Sequence, residues 1–220
     1  VSKPTHRETC RAIASHLLRE EWADAACWEV GINGHQLDVI AVSATSSAEK
    51  DARRFASWEE RARWARSRNR PEPEKPSRII PRVAVVEVKV SRSDLQAGLR
   101  RGQLREYASD PKVQGTHFSL ALWDEVLARA PGDPGWWRRQ DQEAALADLA
   151  ALGVPDGWGV IRIARSPGRD RTLYVDVLRR ATRLRPPPDL THRLGLVELM
   201  ARSLAYRVLS PTSPEQESTG

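Results

Sequence analysis

The chain has 220 residues, 40% of them hydrophobic and 29% charged, with a formal net charge of +6. That is the length of one domain with appendages and the composition of a globular protein, which excludes a wholly disordered chain. No apolar run approaches the length that spans a bilayer, and the first residues lack the apolar core of a secretory signal, so a cytoplasmic protein with no membrane partner is expected. The positive balance rests mostly on Arg, whose planar fork suits phosphate oxygens, and favours a polyanionic partner. Cys10 and Cys27 lack CxxC spacing and the histidines form no finger-type cluster, so reduced thiols and no structural zinc are expected.

In chain order, Thr5 and Glu8 have capping-box spacing and open a helix predicted to reach about residue 22, with Cys10, Ile13, Leu17 and Leu18 facing inward. Residues 26–32 and 36–42 are β-type runs around Asn33-Gly34, a type I′ turn dipeptide, which predicts a hairpin with Asp38 on its second strand. Residues 43–82 hold eleven basic and six acidic side chains and read as an insertion: a helix around Phe55, Trp58, Ala62 and Ala65, then a Pro-rich connector over 71–76. That helix either packs on the surface or grips nucleic acid through Arg61, Arg63, Trp64 and Arg66, aided by Trp58, Arg68 and Arg70.

Residues 83–90 form the most Val-rich strand of the chain, which predicts a central position. A helix over 93–109 follows, opened by a capping box of Ser93 and Gln96. Then come a strand over 116–123, a short helix over 124–130 and a helix over 140–152. Residues 157–164 and 172–178 predict a second hairpin, turning at Ser166 to Arg169. A last amphipathic helix spans about 190–208, and the polar tail from 210 to 220 is expected to be disordered.

In the strand around Glu87-Val88-Lys89 the side chains alternate faces, so Glu87 and Lys89 project from one face, roughly 7 Å apart along the strand. A buried charged pair on an apolar strand is costly and needs a reason. An exposed edge salt bridge would supply one. The other is Asp38, a second carboxylate inside the apolar run 37–42. Two carboxylates on adjacent strands repel each other unless a cation lies between them, and hard oxygen ligands suit Mg²⁺ or Mn²⁺. A lysine two residues beyond can serve a metal-bound water and stabilise charge on a scissile phosphate, an apparatus for phosphodiester hydrolysis.

The ordered set of a helix with Glu8, then Gly34 to Asp38, then Glu87-Val88-Lys89, a helix and a further strand resembles the core of the PD-(D/E)xK, or restriction-endonuclease-like, nucleases. The segment from Glu87 to Leu95, with 116–122 and 157–160, looks most like the MmcB-like DNA-repair nucleases. The resemblance implies an α/β fold with a mixed central sheet flanked by helices and a helical insertion between two core strands. It covers roughly residues 5–164 apart from the insertion at 43–82, and the chain is expected to divide into a nuclease-like domain over 1–180 and a helical extension over 181–209. It further implies Asp38 and Glu87 as ligands of Mg²⁺ or Mn²⁺, joined by the Val88 carbonyl and by Glu8, which matches a first-helix glutamate of the Holliday-junction resolvases. Gln103 and Tyr107, spaced as in the additional motif of RecB-type nucleases, would complete the site beside Lys89, sharing a helical face with Gln96 and Arg100.

Leu37 stands where the motif has Pro, and the 43–82 insertion is longer than the usual connection. Glu29 is a spare carboxylate on the first strand. Arg92, Arg100, Arg101 and Arg105 are the candidates for phosphate contact near the site. The expected function is a metal-dependent DNA nuclease of repair or defence. The alternative is a catalytically silent subunit of a larger assembly that binds nucleic acid or docks protein, through anchors such as Trp136 and Trp137; a homodimer or a partner protein fits either.

Overall fold

The structure, a computed structural model, describes residues 3–19, 23–32, 34–43, 48–68, 82–128, 139–166, 172–186 and 188–209. Trp22, Asn33, Arg70, the connector 71–76, Trp136, Trp137, the turn at 167–169 and the tail 210–220 lie outside the described residues.

Helix α1 (His6–Arg19) starts where its sequence requires. The Glu8 amide donates to Thr5 Oγ1 at 3.2 Å and the Thr5 amide donates to Glu8 Oε2 at 2.8 Å, the reciprocal exchange of a capping box. α1 buries Thr9, Cys10, Ile13, Ala14 and Leu17. Leu18, expected inward, is instead exposed; a turn of about 100° per residue carries it past Leu17 to the outer side.

Six strands make one mixed sheet in sequence order: β1 (Ala25–Ile32), β2 (His35–Val42), β3 (Val83–Lys89), β4 (His117–Trp123), β5 (Gly159–Arg165) and β6 (Leu173–Arg179). β1, β2 and β3 are antiparallel neighbours, β3, β4 and β5 run parallel, and β6 returns antiparallel on β5. Gly34, at φ 92°, takes the left-handed backbone the tight β1–β2 connection needs. Helix α2 (Ala48–Ser67) lies between β2 and β3; α3 (Arg92–Arg100) and α4 (Gln103–Ser109) fill the β3–β4 crossover, α5 (Arg139–Ala151) the β4–β5 crossover, and α6 (Leu190–Leu209) follows the sheet. The chain is thus an α/β protein with a mixed sheet flanked by helices.

Parallel strands need both faces covered. α1 covers the face of Ala84, Val86 and Ile161, where its Leu17 meets them around a cavity of about 160 Å³. α3 and α4 cover the face of Glu87 and Lys89. Every residue of β3 is buried, which places this strand centrally as its valines predict. α6 is built into the same core: it packs on β1 and β2, buries Leu196 and Met200, and Arg193 donates to the Ser43 carbonyl at 3.2 Å. Cys10 and Cys27 are buried and not joined in a disulfide. Among the described residues no helix is long and apolar enough to cross a membrane.

Two boundaries differ from the sequence expectation. The helix expected over 93–109 is two helices, because Gly102 adopts φ 74° and ends the first one. Its N-cap is Ser91, whose side chain accepts from the Asp94 amide at 3.2 Å, and not Ser93. The short helix expected from 124 reduces to a single 3-10 turn, Asp124–Val126.

Candidate active site

The β2–β3 ladder pairs Val39–Val42 with Val83–Val86. Continued by one step, the register sets Asp38 opposite Glu87. Here the strands part, and the Asp38 side chain fills the gap: its Oδ2 accepts from the Val88 amide at 2.7 Å. In an extended strand the amide and carbonyl of one residue point the same way, so the Val88 carbonyl faces the same gap.

Glu87 and Lys89 are only 3% and 6% exposed. Strand alternation puts them on one face, and the flexible Lys89 stem brings Nζ to 2.7 Å from Glu87 Oε1. Gln103, the first residue of α4, bridges the two: its amide donates to Glu87 Oε1 at 2.8 Å, while its carbonyl oxygen accepts from Lys89 at 3.3 Å. The same amide reaches Tyr107 Oη at 3.2 Å, and the Tyr107 hydroxyl donates to the Gln36 carbonyl at 3.2 Å. Asp94 lies 3.6 Å from Lys89. Burial, then the facing Asp38 charge, pushes the Glu87 carboxyl up to about 7, against the opposing pull of Lys89.

Several of these features carry no mark in the sequence. His6 places Nε2 3.2 Å from Asp38 Oδ1, and that hydrogen bond holds its pKa above the ordinary value, with the Glu29 and Glu87 charges adding to the effect. Glu29 stands opposite Asp38 in the β1–β2 register and has φ 51°, a left-handed conformation that costs a non-glycine residue energy. Gly98 lets α3 approach the site: a Cβ there would meet Gln103 Oε1 at 3.0 Å and Lys89 Cε at 3.3 Å. Arg185 donates to the carbonyls of Tyr107, Ala108 and Asp110, fastening the C-terminal end of α4.

The structure therefore brings Asp38, Glu87, Val88, Lys89, Gln103 and Tyr107 together. Glu8 stays apart. Its carboxylate is taken up by Thr5 and lies 3.9 Å from Arg165, and His6 is the α1 side chain that reaches Asp38. Gln96 and Arg100 are exposed on α3 rather than aligned with Gln103, since Gly102 breaks the helix between them. Arg92 joins α3 to α5 through a two-pronged contact with Asp148 at 2.5 and 2.7 Å. Arg101 and Arg105 are exposed beside the site's helices, and Arg61, Arg63 and Arg66 are exposed on α2. Trp64 there is 51% exposed, with the Arg68 guanidinium 5.6 Å from its ring.

As a cation site, this arrangement offers two carboxylates on facing strands and one main-chain carbonyl direction. Among the described residues no three His, Cys, Asp or Glu side chains converge to hold an ion. Such a sparse set suits Mg²⁺, which keeps several waters and takes one or two carboxylates, better than it suits zinc. Burial first, then the facing Asp38 charge, raises the Glu87 carboxyl against the pull of Lys89, and a cation between the two carboxylates would offset both.

No protein-family model and no curated protein matches the chain. Among solved structures, a protein of unknown function from Silicibacter pomeroyi is similar to it with a TM-score of 0.49 and 14% identity, over 100% of this chain and 99% of that one.

Proposed function

We propose that this chain is a Mg²⁺- or Mn²⁺-dependent nuclease of the PD-(D/E)xK type, hydrolysing DNA phosphodiester bonds in repair or defence. The observation that carries the reading is the burial of Glu87 and Lys89 on the central strand with Asp38 facing them. A fold-stabilising core has no use for that cost. Asp38, Glu87 and the Val88 carbonyl would hold the ion, which when bound polarises a phosphate and acidifies a water. Lys89 stands at the end of the acidic pair, where its ammonium can donate to a phosphate oxygen or orient the attacking water. Gln103 fixes both charged groups at once, and Tyr107 fixes Gln103. In-line attack at phosphorus would leave a 5′-phosphate.

A second reading is favoured by the 2.7 Å contact between Lys89 and Glu87, a complete ion pair as it stands. On this reading the fold binds nucleic acid or docks a partner without cutting. One assay separates the two: labelled single-stranded, duplex and branched DNA, and RNA, incubated with Mg²⁺, Mn²⁺ or EDTA. The nuclease reading expects metal-dependent cleavage of DNA that falls by on the order of 10²–10³-fold in Lys89→Ala. Cleavage equal in the variant, or none with any substrate, overturns it.

A further inference from the structure

A groove of about 790 Å³ runs between α1 and β6, away from the Glu87–Lys89 face. Arg11, Ser15 and Arg19 line one wall, spaced four residues apart and therefore stacked along one stripe of the helix. That stripe rises roughly 12 Å from the first arginine to the last. Arg165, Leu173 and Val175 stand on the other wall; Tyr174 turns its ring to the opposite face of β6, where the Arg162 guanidinium lies 5.2 Å from it. Glu8 is the one acid in the lining; its carboxylate is engaged with Thr5 and lies 3.9 Å from Arg165.

One end of the groove comes near the site from the other face of the sheet: α1 begins at His6, which touches Asp38, and Glu8 in the groove lining is two residues on. Arg165 is the last residue of β5, which runs parallel to β3 through β4, so it lies at the edge of the sheet where Lys89 lies. A concave path with guanidinium groups on both walls matches a sugar-phosphate backbone. Its volume of about 790 Å³ is on the scale of a small-molecule cleft, enough for a short stretch of one strand.

We infer that this groove carries a single nucleic-acid strand to or from the Asp38–Glu87–Lys89 site. The inference deepens the nuclease reading and rests on it for the direction of travel. Arg11, Arg19 and Arg165 bind phosphates; the exposed arginines of α2, α3 and α4 are not needed for this contact.

The test measures binding of this chain to a labelled single-stranded DNA oligonucleotide in EDTA across a salt series, so that cleavage does not enter. Arg11→Glu combined with Arg19→Glu should weaken binding by at least about tenfold, and the slope of log affinity against log salt should become shallower by about 1.4, two phosphate contacts on a single strand. Ser15→Glu, which removes no contact of the parent protein, should weaken binding in the same direction. A matched pair of reversals elsewhere, Arg139→Glu with Arg202→Glu, should change affinity less than about twofold, since beyond the exposed ion pairs with Glu143 and Glu198 only net charge is altered. Unchanged binding in the groove variants, an equal loss in the matched pair, or displacement of the oligonucleotide by polyglutamate at equal charge overturns the inference. Groove-dependent binding without metal-dependent cleavage would remove the nuclease reading and leave the groove; cleavage with groove-independent binding would do the reverse.

Discussion

The two halves of β3 are equally buried and chemically opposite. Val83 to Val86 interlock with β2 and β4 through apolar side chains, whereas Glu87 to Lys89 bring an ion pair to the same depth. Burial of the first half stabilises the protein by the ordinary transfer of apolar surface. Burial of the second costs stability unless every charge finds a partner; Glu87 and Lys89 partner each other, with Asp94 of α3 and Gln103 of α4 beside them, while Asp38 of β2 takes up the Val88 amide. The same strand is thus a structural element at one end and a candidate reaction centre at the other.

The comparison breaks most sharply if the charged half is converted to the apolar kind. Lys89→Met alone leaves Glu87 buried beside Asp38 and should cost about 3 kcal/mol or more in urea unfolding of the metal-free protein. Adding Glu87→Leu should restore most of that loss, or exceed the parent, while any cleavage stays abolished. A double variant no more stable than the single one would mean that the pair supports the fold. In the apolar half, Val85→Ala should cost about 2 kcal/mol through the cavity it leaves and spare cleavage at saturating substrate.

The pH dependence of metal-free stability sharpens the same contrast. In the unfolded chain Glu87 loses its proton near 4.5; in the folded chain it keeps it up to about 7. Between these values the folded state binds the extra proton, so this group's contribution is fully present below about 4.5 and is lost as pH rises to about 7. The melting temperature of the parent should therefore fall relative to that of the Glu87→Leu, Lys89→Met double variant between pH 5 and 7. A gap that stays constant would show Glu87 ionised throughout. The smallest expected effect is Gly98→Ala. A helical Gly→Ala change ordinarily gains up to about 1 kcal/mol, but here the added Cβ presses on Gln103 and Lys89. Cleavage should drop several-fold with stability within about 1 kcal/mol of the parent; unaltered cleavage would mean that the Gln103–Lys89 contact is dispensable.

The sequence shows what depends on local periodicity. The Thr5–Glu8 cap, the Val-rich strand and the shared face of Glu87 and Lys89 are set by residues close in the chain, and both hairpins follow from alternating runs flanking turn residues. What it hides depends on distant partners. Nothing near Glu8 indicates that its cap would consume it while His6, two residues earlier, reaches Asp38. The break at Gly102 was masked by helix-forming neighbours, and Arg92 looked like a phosphate ligand because Asp148 is 56 residues away. Strand alternation alone could not orient Glu29, whose left-handed backbone is visible only once its register with β2 is known.

Arg185 has a consequence for how the chain matures. It reaches back 75 residues to the Asp110 carbonyl and braces the helix that carries Gln103 and Tyr107. During synthesis, domains form from the N-terminal side as the chain emerges. Asp38, Glu87 and Lys89 can therefore meet while the ribosome is still translating, but the brace on their organising helix arrives only after β6 has been made. The candidate site would remain loosely set on the nascent chain and tighten only once Arg185 has docked.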